Sequence, residues 1–314
     1  MLHQITVLPQ KQNIPAAAGE HLLEVLRRAG SFVHAPCGGN GTCGKCKVRI
    51  DGKETLACQT VVDRDMTVTL PQENDGVILT DGIAAELSSG SGLCLALDIG
   101  TTTIAAYLIG NGQVLATESR KNPQAVFGAD VVSRIRHAQT GQAKALTAAI
   151  RDCVEDMTKT LLQRVGKAKL DTVSVVGNPA MQQLFLGLPV ENLAKPPYRP
   201  LLTKAEAVDA GNVIPAWEGA TLLLVPDIAG YIGADTVACI LAAGMDKTEK
   251  LTLLVDIGTN GEMVLGNKDR LVACATAAGP ALEGAGIQFG MQAQTAHNGA
   301  QLLFFDAAEQ MYGR

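Results

Sequence analysis

Apolar and polar residues alternate from the start of the chain. In His3-Gln-Ile-Thr-Val-Leu-Pro9, Ile5 and Val7 share one side, as in a half-buried strand, and Lys11-Gln-Asn-Ile-Pro15 reads as its hairpin return. From Glu20 the period lengthens. Leu22, Leu23 and Leu26 form a helical stripe flanked by Val25 and Ala29, and Gly30 is a natural stop. Alternation resumes in Cys46-Lys-Val-Arg-Ile50, Asp51-Gly52 reads as a turn, and Met66-Thr-Val-Thr-Leu70 as a closing strand. A small sheet gripping one helix is predicted over residues 1–70. The polar, turn-rich Pro71–Gly76, a short amphipathic piece at Val77–Leu87 and Ser88-Ser-Gly-Ser-Gly92 read together as a linker over 71–92.

Beyond it, Leu93 to Ile109 reads as a buried strand, a tight turn and a return strand, with Gly112-Gln-Val-Leu-Ala-Thr117 as a third. Helices are predicted over Gly128–His137 and Leu146–Val165. A strand over Leu170–Val176 leads through Gly177-Asn-Pro179 into a helix ending at Leu186, and a strand over Thr221–Pro226 precedes a helix over Ala229–Ala243. Strands alternating with helices make one α/β layer. Between them, Gly187–Gly219 carries five prolines and reads as an ordered excursion over the surface. Leu251–Leu265 repeats the strand, turn and strand, and a strand at Leu271, a glycine-rich loop and Gln301-Leu-Leu-Phe-Phe305 follow. The expectation is a first subdomain over 93–250 and a partial second over 251–314.

At 314 residues and 47% hydrophobic, the chain has material for two packed domains. A net charge of −5 without a Lys/Arg tract gives no reason to expect a nucleic-acid partner. The N-terminus lacks the regions of a secretory signal. The richest apolar run, Thr221–Met245, is broken by Pro226, Asp227 and Asp235, so no membrane partner is expected. Of eight cysteines, four are clustered and four scattered, which fits a reducing cytoplasm better than a disulfide framework.

The clustered four carry the first candidate chemistry. Cys37, Cys43 and Cys46 stand at C-x5-C-x2-C in a glycine-rich loop, and Cys58 follows after eleven residues. Thiolates select iron–sulfur clusters, zinc or copper(I). Zinc cysteines usually come as close pairs on knuckles. A long loop can instead wrap a flat group and deliver two ligands to each side, while Gly38, Gly39, Gly41 and Gly44 let backbone N–H groups approach inorganic sulfurs. The reading is a 2Fe–2S cluster, with one zinc or four reduced structural thiols as alternatives. His34 lacks a paired Cys-His spacing and is read as a neighbour or surface residue.

The second candidate is Asp98-Ile-Gly-Thr-Thr-Thr103. An aspartate ends a strand, and small residues from Gly100 to Thr103 expose backbone N–H groups, so Asp98 could hold water on a phosphate-bound magnesium. It is not a Walker A loop, because no G-K-[ST] follows. Asp256-Ile-Gly-Thr-Asn-Gly-Glu262 repeats the device 158 residues later. Two copies suggest two aspartates facing one phosphate chain; two ordinary hairpins are the alternative. Cys94 and Cys274 in strands, and Cys153 and Cys239 in helical patterns, read as buried thiols. His137 and His297 read as surface residues, and no G-x-S-x-G nucleophile elbow is present.

Cys37 to Cys46, with Leu56-Ala-Cys-Gln59, resembles the β-grasp ferredoxins that hold one 2Fe–2S cluster. Further along, Asp98-Ile-Gly-Thr-Thr-Thr, Asn122-Pro-Gln, Gly128-Ala-Asp-Val-Val-Ser-Arg, Gly177-Asn, Gly233-Ala-Asp-Thr, Asp256-Ile-Gly-Thr-Asn-Gly-Glu and Ala277-Ala-Gly-Pro-Ala-Leu-Glu-Gly284 follow in order. The whole is similar to the reductive activators of corrinoid enzymes. These join such a ferredoxin to an actin-like (ribonuclease-H-like) ATPase domain of the acetate kinase, sugar kinase and heat-shock ATPase superfamily. The resemblance implies an α/β fold and an ATP-linked reduction of corrinoid cobalt(II) to cobalt(I). Its implied partners are a corrinoid protein or corrinoid-dependent methyltransferase and an electron-donating reductase. Cys37, Cys43, Cys46 and Cys58 would carry the cluster, and Asp98 and Asp256 the catalytic phosphate chemistry of Mg-ATP. Gly100, Thr101, Thr102, Gly258, Thr259 and Asn260 would line the phosphates, with Gly279 and Glu283 in a glycine-rich loop near nucleotide or partner.

Three departures stand out. The segment before Cys58 is short, the family's linker and middle domain are reduced to about residues 71–92, and only 64 residues, 251–314, remain for the second subdomain. The expectation is therefore an incomplete second subdomain and weak ATP binding by this chain alone. The alternatives to the activator are a ferredoxin-type carrier whose ATPase-like domain only docks a partner, and a small-molecule kinase with the cluster as sensor.

Overall fold

A computed structural model describes residues 2–31, 33, 35, 39, 41, 44–71, 92–258, 260–276 and 305–306. The predicted linker amphipath at 77–87 lies outside the described residues. Contacts group the described chain into two compact units. Residues 2–71 with Gln124–Arg134 form the first, and the rest of 92–276 with 305–306 the second.

In the first unit, β1 (Leu2–Leu8) and β2 (Gln12–Ala17) form the expected hairpin, Ile5 opposite Ile14. α1 (Leu22–Arg28), β3 (Lys47–Ile50), β4 (Lys53–Leu56) and β5 (Met66–Thr69) follow. The sheet order is β2-β1-β5-β3-β4, with β5 parallel to β1 and all other pairs antiparallel. Alternation puts Ile5, Val7, Val48 and Val68 on one face, where Leu22, Leu23, Val25 and Leu26 of α1 complete a closed core. Val25 is fully buried, so the stripe of α1 is wider than the three leucines alone. Each such side chain contributes about 1.5–3 kcal/mol on leaving water. Glu24 in the first turn of α1 and Arg27 and Arg28 in the last suit its dipole.

The second unit begins with an antiparallel meander, β6 (Leu93–Ile99), β7 (Thr103–Gly110) and β8 (Gln113–Lys121). α2 (Val131–His137), whose residues through Arg134 group with the first unit, and α3 (Ala143–Val165) follow, broken from each other at Gly141. Then come β9 (Thr172–Gly177), α4 (Pro179–Leu186), β10 (Glu206–Asp209), β11 (Thr221–Leu224) and α5 (Ala234–Ala242). The six-stranded order is β10-β11-β9-β6-β7-β8, with β9 parallel to β6 and β11 parallel to β9. Asn178 caps α4 by accepting from the Met181 N–H at 3.1 Å, with Pro179 in the first turn, as the dipeptide predicts.

Two expectations change. The excursion 187–219 contributes a strand, because β10 satisfies the free edge of β11. α5 starts at Ala234 rather than Ala229, because residues 229–232 close a tight bridge first.

A separate sheet, ordered β14-β13-β12-β15, is built from β12 (Thr252–Ile257), β13 (Gly261–Asn267), β14 (Arg270–Thr276) and β15 (Phe305–Asp306). Leu254 and Val264 pack on Ile240 and Met245 at the α5 end of the first layer. Edge strand β14 is exposed along nearly its whole length. The second sheet is thus unclosed among the described residues. No described helix is long and apolar enough to cross a membrane.

Candidate functional site

Pairing of β3 with β4 sets Lys47 opposite Leu56, so the residues just outside that pair, Cys46 and Ala57, meet: the Ala57 N–H donates to the Cys46 carbonyl at 2.8 Å. A single tight turn, Ala57–Gln59, then carries Cys58 alongside, and its N–H points at Cys46 Sγ at 3.5 Å. The eleven residues between the two cysteines are what this hairpin needs. Both thiols are buried, and neither is in a disulfide. A side chain at Gly39 would come within 3.2 Å of Leu23 Cδ2, and Gly41 holds φ 75 with Gln59 Nε2 2.9 Å from where its Cβ would stand. Glycine lets this loop pass close to both. Soft donors, burial and an amide N–H aimed at sulfur fit a thiolate-ligated cluster. Cys37, Cys43 and His34 lie outside the described residues.

In the second unit, Asp98 stands near the end of β6, on the face opposite Leu95, Leu97 and Ile99. The turn beyond it is held by two asparagines. Asn122 Nδ2 donates to the Gly100 carbonyl at 2.7 Å, its N–H donates to the Thr102 carbonyl at 2.8 Å, and Asn178 Nδ2 donates to Thr101 Oγ1 at 3.0 Å. Asp256 occupies the equivalent place on β12, opposite Glu262 of β13, and the Gly258 N–H donates to the Asn260 carbonyl at 2.9 Å.

The carboxylates at and around these turns are pushed up from their usual range. Burial, then Asp235, then Asp256 push Asp98 up to about 7. Its side chain is open to water, but contact with water on one side does not restore the bulk solvent lost on the others, so the upward direction stands. Asp235, on the first turn of α5, rises to about 6 through burial, opposed by the Thr236 N–H at 2.8 Å and reinforced by Asp256. Glu262 rises to about 8 through burial, Asp235 and Asp256, and Asp256 is raised by burial. The repulsion falls on Asp98 and Glu262 rather than on Asp256; in a coupled set it belongs to the set, not to one member. Cys239 senses all four carboxylates: burial first, then Asp256, Asp235, Asp98 and Glu262, push its thiol up to about 12. Among the described residues no three acidic, His or Cys side chains converge closely enough to hold a metal ion directly.

The structure thus places Asp98, Gly100, Thr101 and Thr102 at one turn and Asp256, Gly258 and Asn260 at the other, with the charge of Asp256 raising Asp98. Thr259, Gly279 and Glu283 lie outside the described residues, as does His297. Asp235, Glu262, Asn122 and Asn178 join the site without having been chosen from the sequence, although each sits in one of the motifs quoted for the family resemblance. The four scattered cysteines lie in the expected strands and helices, but they are not all buried. Cys94, Cys153 and Cys239 are half-buried and Cys274 is exposed. Cys94 faces away from the Leu93, Leu95 and Leu97 side of β6, and Cys274 sits on edge strand β14.

Residues 5–66 match the 2Fe–2S iron–sulfur cluster binding domain, residues 93–248 the RACo middle region, and residues 250–299 the C-terminal domain of RACo, the ASKHA domain. The middle-region match on 93–248 overturns the expectation that this region is reduced to residues 71–92. The corrinoid activation enzyme RamQ of Eubacterium limosum is 36% identical over 209 residues, 64% of this chain and 35% of that protein. The Co(II) methylated amine-specific corrinoid protein reductase of Methanosarcina barkeri is 32% identical over 152 residues, 45% of this chain and 28% of the relative. This chain therefore spans about a third of the length of either. A solved structure of a reductive activator for a corrinoid, iron–sulfur protein superposes with TM-score 0.60 at 27% identity, covering 92% of this chain and 65% of that one.

Proposed function

Because the chain belongs to the RACo-like family of reductive corrinoid activators, in which a 2Fe–2S ferredoxin domain is joined to an ASKHA ATPase domain, we propose that it delivers single electrons to a cobalt(II) corrinoid protein in a step linked to Mg-ATP. The observation that carries this reading is the pair of strand–Asp-Ile-Gly-Thr turns, with the charge of Asp256 raising Asp98, in a chain that also holds a cluster-binding domain. The division is proposed as 1–70, linker 71–92, and ATPase subdomains 93–250 and 251–314, in the cytoplasm.

When bound, the cluster supplies one-electron transfer. Cys46 and Cys58, with Cys37 and Cys43, would hold it, and the Cys58 N–H would stabilise negative charge on sulfur. Asp98 and Asp256 would orient water on magnesium, while Gly100, Thr101, Thr102, Gly258, Thr259 and Asn260 would line the phosphates. Asp235, on the first turn of α5 and in the field of Asp256, would align the attacking water. By the family resemblance, Gly279 and Glu283 would act near nucleotide or partner. Nucleotide moves the electron-transfer equilibrium only through its different affinity for the docked and free poses. An electron-donating reductase and a corrinoid protein or corrinoid-dependent methyltransferase are the partners.

The test is anaerobic calorimetry with Mg-ATP, paired with cobalt(II) absorbance of an added corrinoid protein. Cobalt(II) decays with reduced protein and Mg-ATP, and Asp98→Asn slows that decay on the order of 100-fold. Undiminished decay without nucleotide overturns the ATP link. It would favour the second reading, a ferredoxin-type carrier whose ATPase-like unit only docks a partner, to which the exposed edge strand β14 points.

A further inference from the structure

Residues 194–199 are exposed without interruption, yet their shape is set from beneath. Gln183 of α4 is fully buried. Its Nε2 donates to the Pro189 carbonyl and, at 3.1 Å, to Asn192 Oδ1, and its Oε1 accepts from the Leu201 N–H at 3.0 Å. Asn192 Nδ2 in turn donates to the Arg199 carbonyl, and the Tyr198 N–H to the Lys195 carbonyl at 2.8 Å. From the side, Tyr231 packs on Tyr198 with ring centroids 5.5 Å apart and donates to the Leu193 carbonyl at 3.1 Å. At Gly230 a Cβ would stand 1.9 Å from the Tyr198 carbonyl oxygen, so only glycine permits this approach.

What the knob presents is the composition of a binding hot spot: an aromatic, aliphatic neighbours and cations. Tyr198, Leu201 and Ile228 are 37%, 48% and 48% exposed. Lys195 and Arg199 are exposed on either side of Tyr198, and their side chains pair with no described residue. In a chain of net charge −5 this cationic spot runs against the overall balance. Because it is already rigid, a partner would order little on docking there.

We propose that the Lys195–Leu201 knob docks the corrinoid protein through an acidic rim around an apolar patch. This rests on the proposed activator function. The segment that clamps the knob, from Asp227 (whose N–H donates to the Leu202 carbonyl at 2.7 Å) to Tyr231, runs directly into α5 and Asp235. Nucleotide and partner therefore meet on two ends of one short segment.

The experiment measures binding of the full chain, anaerobically, to a purified corrinoid protein held as cobalt(II), at low and at moderate salt. Wild type binds and weakens with salt. Lys195→Glu with Arg199→Glu raises Kd about 10-fold or more and removes most of the salt dependence. Tyr198→Ala weakens binding with the salt dependence kept. Both variants should retain the wild-type visible spectrum, since the changed side chains are exposed. Wild-type affinity in both variants, with binding intact, overturns the docking surface alone. Absence of binding by wild type overturns both this surface and the activator function. Equal competition by a short polyanionic nucleic acid would place a general anion site there instead and also overturns it.

Discussion

A carboxyl group in water gives up its proton near pH 4, and Asp227 does not. It is 4% exposed, neither carboxyl oxygen has a hydrogen-bond partner among the described residues, and burial pushes it up to about 8. The Ala234 N–H opposes the shift from outside hydrogen-bond geometry, and Asp235 adds repulsion. The folded state thus keeps a proton that the unfolded chain loses. Stability from this group is intact below about pH 4, declines as pH rises to about 8, and is level above. Asp227→Asn removes that decline. At pH 8.5 it should melt several degrees above wild type, a gain of a few kcal/mol, with the difference gone near pH 4. Asp98, Asp235 and Glu262 titrate with the same sign in both proteins and do not cancel the comparison. Melting curves in a pH series decide it; parallel curves would show that Asp227 is ionised and paired. At this scale the candidate cluster cysteines stand out in the sequence because their spacing is local. Asp227 and Asp235 were not, because one aspartate in a strand-to-helix connection looks like any other until burial and neighbours are known.

Among elements, the contact that matters most is between the start of α5 and the end of β9. A Cβ on Gly233 would lie 2.5 Å from the Gly177 carbonyl oxygen and 2.6 Å from Asn178 Cα. Both obstacles are backbone, so Gly233→Ala must push α5 away. It should cost about 1–3 kcal/mol and, by displacing Asp235, lower any Mg-ATP affinity by more than stability alone requires. Denaturant melts with calorimetry separate the two losses; wild-type stability would mean that the helix shifts freely. Periodicity located nearly every helix and strand, since α1, α4 and the β6–β7 hairpin carry their own stripes, caps and turns. It missed β10, whose Glu206-Ala-Val-Asp209 has no strand pattern and is ordered by the edge of β11. It also began α5 five residues early, because apolar composition continues through a bridge whose turn only the fold reveals.

For the whole molecule, the core of the ferredoxin sheet is drawn, among the described residues, from residues 5–70. A fragment ending at Pro71 should therefore fold and, reconstituted anaerobically, show the iron, sulfide and visible spectrum of the full chain. Loss of the cluster in the fragment alone would mean that the second unit supports the loop. What the sequence by itself determined was local or repeated: the cysteine spacing, the doubled Asp-Ile-Gly-Thr turn, the alternation that closes the first sheet, and the family these motifs resemble. Such features are written in neighbouring residues and survive without knowledge of the rest. Only the tertiary structure decided that Cys46 and Cys58 meet across a hairpin, that Asp235 and Glu262 share the field of Asp98 and Asp256, and that a buried glutamine fixes an exposed cationic knob. Those relations join residues far apart in sequence. Their physical content, whether desolvation, repulsion or a hydrogen bond from beneath, exists only once folding has set the distances.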